Sequence, residues 1–156
     1  FIVCLIFFFL TYNDVKSSEI NSISGYAKVT DGDTLKINTF KIRLHGIDAP
    51  EKKQVCVKNS TEYSCGKKAT IALVKKIDGK KVLCEVQNNL DRYKRYIGVC
   101  FVGEVNLNKW LVRNGHAVAY RRYSKDFIED ENYAKKNKLG LWSGNFTYPE
   151  KWRKLK

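Results

Sequence analysis

Between Tyr26 and Ile47 the chain reads YAKVTDGDTLKINTFKIRLHGI, a stretch in which apolar and polar residues alternate. Alternation of this kind is typical of strands that bury one face. The pairs Asp31-Gly32 and Asn38-Thr39 interrupt it with residues that favour tight turns. We therefore predict three short antiparallel strands, the third with side chains that point alternately into the core and away from it.

The patterns that follow predict three helices and two more strands. In chain order they are a helix over 67–77, strands over 81–86 and 96–102, a helix from Asn106 to about Arg113, and a helix with a capping box at Asp126 and Glu129 that ends near Gly140. Five short strands with one helix between the third and the fourth is the order of a small Greek-key barrel. The predicted fold class is therefore α+β, mainly a five-stranded OB-fold barrel, with three α-helices.

The charge of the chain predicts a polyanionic partner. Its 29 Lys and Arg residues outnumber its 16 Asp and Glu residues, which gives a formal net charge of +13. Such a fold repels itself unless an anionic partner or salt compensates the charge. With 44% hydrophobic and 13% aromatic residues, the sequence is not a disordered basic tail. A length of 156 residues fits one domain, which we place at residues 18–156.

The first ten residues, Phe1 to Leu10, form an uninterrupted apolar run. The chain contains no Met, so we interpret residues 1–17 as the remnant of a signal peptide whose beginning is missing. This predicts a secreted or periplasmic protein, or a membrane-anchored one if the leader is not cleaved. A buried core strand is the remaining alternative.

Export would change the chemistry expected of the cysteines. Cys4 would leave with the leader, and the other four, Cys56, Cys65, Cys84 and Cys100, form an even set. In an oxidising compartment such a set suggests two disulfides, with three possible connectivities. The spacings do not match the close ligand pairs of zinc sites. Free core thiols are the other alternative.

Two acidic segments predict a site for a divalent cation. Asp33 lies in the first tight turn, and Asp48 follows the third strand. If the strands pair, the two carboxylates meet. Together with the main-chain carbonyl of Ala49, they offer the oxygen ligands that Ca²⁺ or Mg²⁺ prefers. The alternative is that both acids are ordinary turn and loop residues.

Two arginines and a third acid add the parts that phosphodiester hydrolysis needs. Arg43 lies on the polar face of the third strand, and Arg95 ends the polar stretch before the fifth. A guanidinium fork matches the geometry of a phosphate group. With a bound cation, these arginines would neutralise the charge that develops on the phosphate while Glu51 takes a proton from water. Taken singly, each arginine could be a solvated surface charge.

Several segments resemble the staphylococcal (micrococcal) nuclease family. Its three active-site segments look like Val29–Thr34, Arg43–Glu51 and Asp91–Arg95, and its later helices look like the segments Val105-Asn106, Leu111–Gly115 and Lys138–Trp142. The resemblance spans residues 24 to 143. It is specific because the segments recur in order at plausible distances.

The resemblance implies calcium-dependent cleavage of DNA and RNA to fragments that carry a 3′-phosphate. The family's metal-binding acids fall on Asp33 and Asp48, its carbonyl ligand on Ala49, its proposed general base on Glu51, and its phosphate-binding arginines on Arg43 and Arg95. Ala49 replaces a Thr of the best-known member, which matters little for a main-chain ligand. Lys94 stands where a glycine usually precedes the second arginine.

The cysteines look like those of exported relatives, in which Cys56 would pair with Cys65 and Cys84 with Cys100. Tyr93 and Tyr120 are candidates for stacking on bases, a contact that tolerates any base sequence. Ordinary packing is the alternative for both rings. We expect a monomer that acts on single-stranded or denatured DNA and RNA.

Two hypotheses from different classes remain. The first is an exported thermonuclease-type endonuclease that depends on Ca²⁺ or another divalent cation. The second is a non-catalytic OB-fold module that binds nucleic acid or protein. Simple binding would not require the complete set of Asp33, Arg43, Asp48, Glu51 and Arg95.

Overall fold

The computed structural model describes residues 21–155. The predicted leader, residues 1–17, and the start of the predicted domain at residue 18 lie outside this range. The described strands are β1 (Ser22–Asp31), β2 (Thr34–Ile37), β3 (Phe40–Leu44), β4 (Ile47–Asp48), β5 (Cys56–Lys58), β6 (Thr61–Tyr63), β7 (Lys81–Leu90), β8 (Tyr96–Val102), β9 (Val105–Asn106) and β10 (Val118–Ala119).

The sheet closes into a five-stranded barrel. Its strand order is β3-β2-β1-β7-β8, and β3 also pairs in parallel with β8, which joins the two ends. The other pairings around the barrel are antiparallel, and β9 extends the sheet beyond β8. This arrangement confirms the OB-fold barrel predicted from the order of elements.

Residues 21–155 form four α-helices, one more than predicted. They are α1 (Cys65–Ile77), α2 (Leu107–Arg113), α3 (Ile128–Lys136) and α4 (Pro149–Lys154), with a 3₁₀ turn at Gly140–Ser143. Asn106 caps α2 as predicted, because its side chain accepts a hydrogen bond from the Lys109 backbone N–H at 2.9 Å.

The predicted capping box of the third helix is wrong. Phe127 immediately precedes α3 and is buried in the core, so the helix begins one residue later than an Asp126 cap would require. The backbone N–H of Asp126 donates instead to the Ser124 hydroxyl at 3.0 Å. Burial of the aromatic ring therefore sets where this helix starts.

The core fills the barrel and the space under α1. On β3, Ile42 and Leu44 are buried while Arg43 lies on the opposite face, as the alternation predicts. Ala69, Leu73 and Ile77 form the buried face of α1. Among the described residues, no helix is both long enough and apolar enough to cross a membrane.

The two disulfides in the described range have the predicted pairing. Cys84 lies directly opposite Cys100 in the β7–β8 ladder, with their Cα atoms 4.0 Å apart. Cys56 and Cys65 bracket the β5–β6 hairpin, with their Cα atoms 5.6 Å apart. Both bonds therefore close local segments, and they fit an oxidising compartment.

The Cys84–Cys100 bond should contribute measurably to stability. Closing a loop of this length restricts the unfolded chain, so we expect the double variant Cys84→Ala/Cys100→Ala to lose about 3 kcal/mol of unfolding free energy. Guanidinium unfolding of the oxidised proteins measures the difference. Equal unfolding free energies for wild type and variant would contradict this assignment of the bond's role.

Candidate active site

The two acidic segments predicted to bind a metal lie against each other. Asp33 occupies the turn between β1 and β2, and Asp48 ends β4, which pairs with β10. The Asp33 carboxylate accepts a hydrogen bond from the backbone N–H of Ala49 at 2.8 Å. This bond joins the turn to the loop that follows Asp48, so the two buried carboxylates face one region of the molecule.

Arg43 bridges these two acids. One terminal nitrogen of its guanidinium lies 3.0 Å from Asp33 Oδ2, and the other lies 3.1 Å from Asp48 Oδ1. The side chain is only 13% exposed. Because Arg43 lies on a barrel strand in register with Thr34, its position is fixed by the sheet itself.

Arg95 approaches the site from the β7–β8 turn. Its guanidinium pairs with Asp91 at 2.8 Å, and its Nη1 lies 3.5 Å from the Thr34 hydroxyl. That hydroxyl donates to Asp33 Oδ1 at 3.3 Å. Lys94 adopts a φ of 58°, the left-handed conformation that a glycine would take freely. The departure from the usual glycine therefore leaves the turn, and Arg95 within it, directed at the site.

Glu51 is held by the segments around it. Its backbone N–H donates to the side chain of Gln54 at 3.2 Å, and its carbonyl accepts from the Gln54 N–H at 2.7 Å. Gln54 is buried and also donates to the carbonyl of Thr147 at 2.7 Å. A Cβ at Gly66, near the start of α1, would collide with the Glu51 carbonyl oxygen, so close packing fixes this backbone as well.

Arg153 contacts two of the predicted site residues, and the sequence did not single it out. It projects from α4 and forms two contacts with Asp48, Nη1 to Oδ1 at 2.9 Å and Nη2 to Oδ2 at 3.0 Å. Its Nη1 also lies 2.9 Å from Glu51 Oε1. Pro149 at the first turn of α4 could have indicated a short helix, but the sequence carries no signal for the target of Arg153.

The two tyrosines predicted to stack on bases flank this cluster on different sides. Tyr93 is 60% exposed, and the Arg95 guanidinium lies 5.1 Å from its ring centroid. Tyr120 follows β10 and lines a cavity of about 310 Å³ together with Asp48 and Tyr148. The proposed contacts of both rings with bases remain predictions.

Burial shifts the protonation of the acids. Burial raises the pKa of Asp33 to about 7, although the nearby Arg43 guanidinium opposes the shift. Burial also raises the pKa of Asp48, against the hydrogen bond and charge of Arg153 and the charge of Arg43. Burial is therefore the dominant influence on the pKa of both acids.

The donor set suits a hard cation that keeps several non-carboxylate ligands. Within residues 21–155, no three His, Cys, Asp or Glu side chains lie close enough together to hold a metal ion. If a cation binds, Asp33 and Asp48 would supply two carboxylates, and main-chain and water oxygens would complete the shell. This composition fits Ca²⁺ or Mg²⁺ and does not fit a structural zinc site.

The raised pKa of Asp33 predicts a pH dependence of stability. The folded protein binds this proton more tightly than the unfolded chain, whose Asp has its ordinary pKa near 3.8. The stabilising effect of the protonated acid is therefore present at low pH and is lost as the pH rises from about 4 to about 7.

In chelator, we expect wild type to lose about 2 kcal/mol more unfolding free energy than Asp33→Asn between pH 5 and pH 8. Denaturant unfolding of both proteins at the two pH values measures this. Parallel pH profiles would show that Asp33 does not retain its proton in the fold.

Comparison with known proteins assigns the chain to a family. The family model described as staphylococcal nuclease homologue matches residues 41–144. A staphylococcal-like nuclease of Arabidopsis thaliana is 37% identical over 142 residues, which cover 85% of this chain and 39% of that protein. A protein of Haemophilus influenzae named an uncharacterized endonuclease is 33% identical over 81% of this chain and 70% of its own length.

A succinoglycan biosynthesis protein of Rhizobium meliloti is 36% identical over 77% of this chain, and the chain spans 64% of its length. Relatives with different names thus match most of this chain. The matched region includes Arg43, Asp48, Glu51 and Arg95. The chain belongs to the staphylococcal nuclease family.

Proposed function

We propose that the protein is an exported, divalent-metal-dependent endonuclease that hydrolyses phosphodiester bonds of DNA and RNA with little sequence specificity. The observation that carries the proposal is a cluster around the buried acids Asp33 and Asp48. Arg43 bridges the two acids, and Arg95 reaches the Thr34 hydroxyl that donates to Asp33. Glu51 is joined to Asp48 through Arg153. The nuclease names of several relatives support it. The two disulfides support export, because such bonds persist in oxidising compartments.

Asp33 and Asp48 would hold the cation, with the carbonyl of Ala49 as a further ligand. The cation, when bound, would polarise a phosphoryl oxygen and help to neutralise the charge that develops on it. Ca²⁺ is the proposed ion, and Mg²⁺ is the other candidate of the same class.

The protein's own groups would perform the remaining steps. Arg43 and Arg95 would bind the phosphoryl oxygens through their guanidinium forks, which stabilises the negative charge of the transition state. Glu51 is 38% exposed and could reach a water molecule. It would accept the proton of that water as the water oxygen attacks phosphorus. The bond to the 5′ oxygen would break, leaving a 3′-phosphate on one fragment and, once the leaving oxygen takes a proton from solvent, a 5′-hydroxyl on the other.

Digestion of denatured DNA and of RNA tests the proposal. We expect cleavage with Ca²⁺, fragments that carry 3′-phosphates, and no cleavage when chelator removes the cation. Full activity in chelator would reject the metal-dependent mechanism. Tight binding without cleavage under any divalent cation would instead support a non-catalytic OB-fold binding module.

Binding without cleavage should depend on salt rather than on base sequence. Lysines and arginines that contact phosphates release counterions, so we expect affinity for an oligonucleotide in chelator to fall about tenfold or more between 50 and 200 mM salt. Different base sequences should bind within about threefold, since phosphate contacts carry no sequence information. Fluorescence anisotropy measures both. A flat salt response would contradict the proposed mode of binding.

A further inference from the structure

We propose that Arg153 is a tethered cation that closes the active site, and that its docking and the binding of calcium to Asp48 exclude each other. The inference rests on the proposed function, because it concerns how that same site is regulated. It assigns α4 the role of a reversible cover whose docked position keeps both the metal ligand and the general base occupied.

In the docked position, Arg153 binds the carboxylate oxygens of Asp48 and Glu51 that the proposed reaction would use. Asp48 is almost completely buried, and both of its carboxylate oxygens accept hydrogen bonds from the Arg153 fork. The same guanidinium lies 2.9 Å from Glu51. A cation that approached Asp48 would therefore meet a positive charge already in place, and Glu51 would already be paired with it.

The two arginines on Asp48 differ in how easily they can leave. Arg43 belongs to β3, in the closed barrel, and cannot move far without disturbing the sheet. Arg153 belongs to α4, a helix of only six residues. Pro149 is buried at the start of that helix, whereas Arg153 itself is 36% exposed. Short helices with mostly exposed residues open locally at small free-energy cost, so α4 is the element that can undock.

The segment before α4 supplies a fixed point from which the helix can swing. Val57 and Asn145 exchange backbone hydrogen bonds at 2.9 and 2.8 Å, and the buried Gln54 holds the Thr147 carbonyl. The ring of Phe146 packs on Trp142 with centroids 4.9 Å apart. Asn145 and Thr147 therefore stay attached to Val57 and Gln54 when Arg153 undocks, which leaves the connection to the Glu51 loop in place.

Docking of this kind lowers the apparent affinity for the cation. If the open form is the only one that binds calcium, the apparent dissociation constant rises by the inverse of the open fraction. We expect Arg153→Ala to bind Ca²⁺ about tenfold more tightly than wild type, a change within the usual range of coupling between two sites. Arg153→Lys should lie between them, because an ammonium keeps the charge but loses the two-pronged contact.

Titration calorimetry with Ca²⁺ alone, on the full chain and without nucleic acid, tests the inference. Lys154→Ala is the matched control: it removes one positive charge from the same helix, and its contact is with Glu150. We expect the control to bind Ca²⁺ as wild type does. In ¹⁵N spectra, the Nε–H signal that Arg153→Ala removes should shift in wild type as Ca²⁺ is added.

Equal Ca²⁺ affinity for wild type, Arg153→Lys and Arg153→Ala would overturn the inference, and so would the absence of Ca²⁺ binding in all of them. The experiment distinguishes failure of the competition between Arg153 and Ca²⁺ from failure of the proposed nuclease function. An Arg153→Ala protein that binds Ca²⁺ more tightly yet cleaves no nucleic acid would reject the nuclease and keep the competition. Normal cleavage with unchanged affinities would reject the competition and keep the nuclease.

Discussion

Replacement of Glu51 by Gln should lower kcat by a factor on the order of 10² or more and leave the fold intact, because the amide cannot accept the proton of the attacking water. The side chain is 38% exposed and is held through its backbone by Gln54, so the substitution leaves those backbone bonds in place. The loss should appear in kcat, since the arginines proposed to bind the phosphate remain.

The rate of digestion of denatured DNA at saturating Ca²⁺ measures the effect, with circular dichroism as the check on folding. Glu62→Gln is the matched control, because it makes the same chemical change at an exposed residue of β6. Near-normal turnover by a folded Glu51→Gln protein would remove Glu51 from the mechanism and leave the base to another group.

The barrel could be predicted because the local sequence pattern of each strand is enough to identify it. The alternation around Ile42 and Leu44, with turn residues between runs, determines which side chains are buried before any long-range contact is known. The helix α1 has the same property, since Ala69, Leu73 and Ile77 recur at helical spacing. Cys84 and Cys100 could be matched because they fall on adjacent strands of one hairpin.

The acidic and basic side chains of the site were predictable to the extent that they lie on these strands and turns. Asp33 is at the β1–β2 turn and Arg43 is on β3, so pairing of β2 with β3 brings them together. The role of Lys94 was less evident. Only the backbone angle shows that this residue keeps the left-handed turn which directs Arg95.

The missed features depend on contacts between distant parts of the chain. Arg153 lies 105 residues from Asp48, and Gln54 lies 93 residues from Thr147. Nothing in the local sequence distinguishes Arg153 from the other cations of the basic run around it. A helix as short as α4 owes its position to tertiary packing rather than to propensity. The start of α3 was predicted wrongly for the same reason, because the burial of Phe127 in the core is a tertiary contact.

Replacement of Arg43 by Ala should have the largest combined effect on activity and stability. It removes a group that would bind the phosphate, and we expect cleavage at saturating Ca²⁺ to fall by a factor on the order of 10² to 10³. It also removes the fork that joins Asp33 to Asp48, which leaves both buried carboxylates without that partner. Breaking a buried pair from one side costs about 3 kcal/mol of unfolding free energy at pH 8.

The stability loss should shrink at pH 5, because the Asp33 carboxyl, with its pKa raised by burial, is then mostly protonated and needs no counter-charge. Denaturant unfolding at both pH values, together with cleavage rates, separates the effect on stability from the effect on activity.

Arg43→Lys keeps the charge but lacks the two nitrogens that reach two acids, so it should recover part of the stability and little of the activity. Arg113→Ala, which breaks an ion pair with Asp130 outside the site, should leave cleavage unchanged. If Arg43→Ala cleaved as fast as this control, Arg43 would be a structural bridge between two acids and not a phosphate ligand.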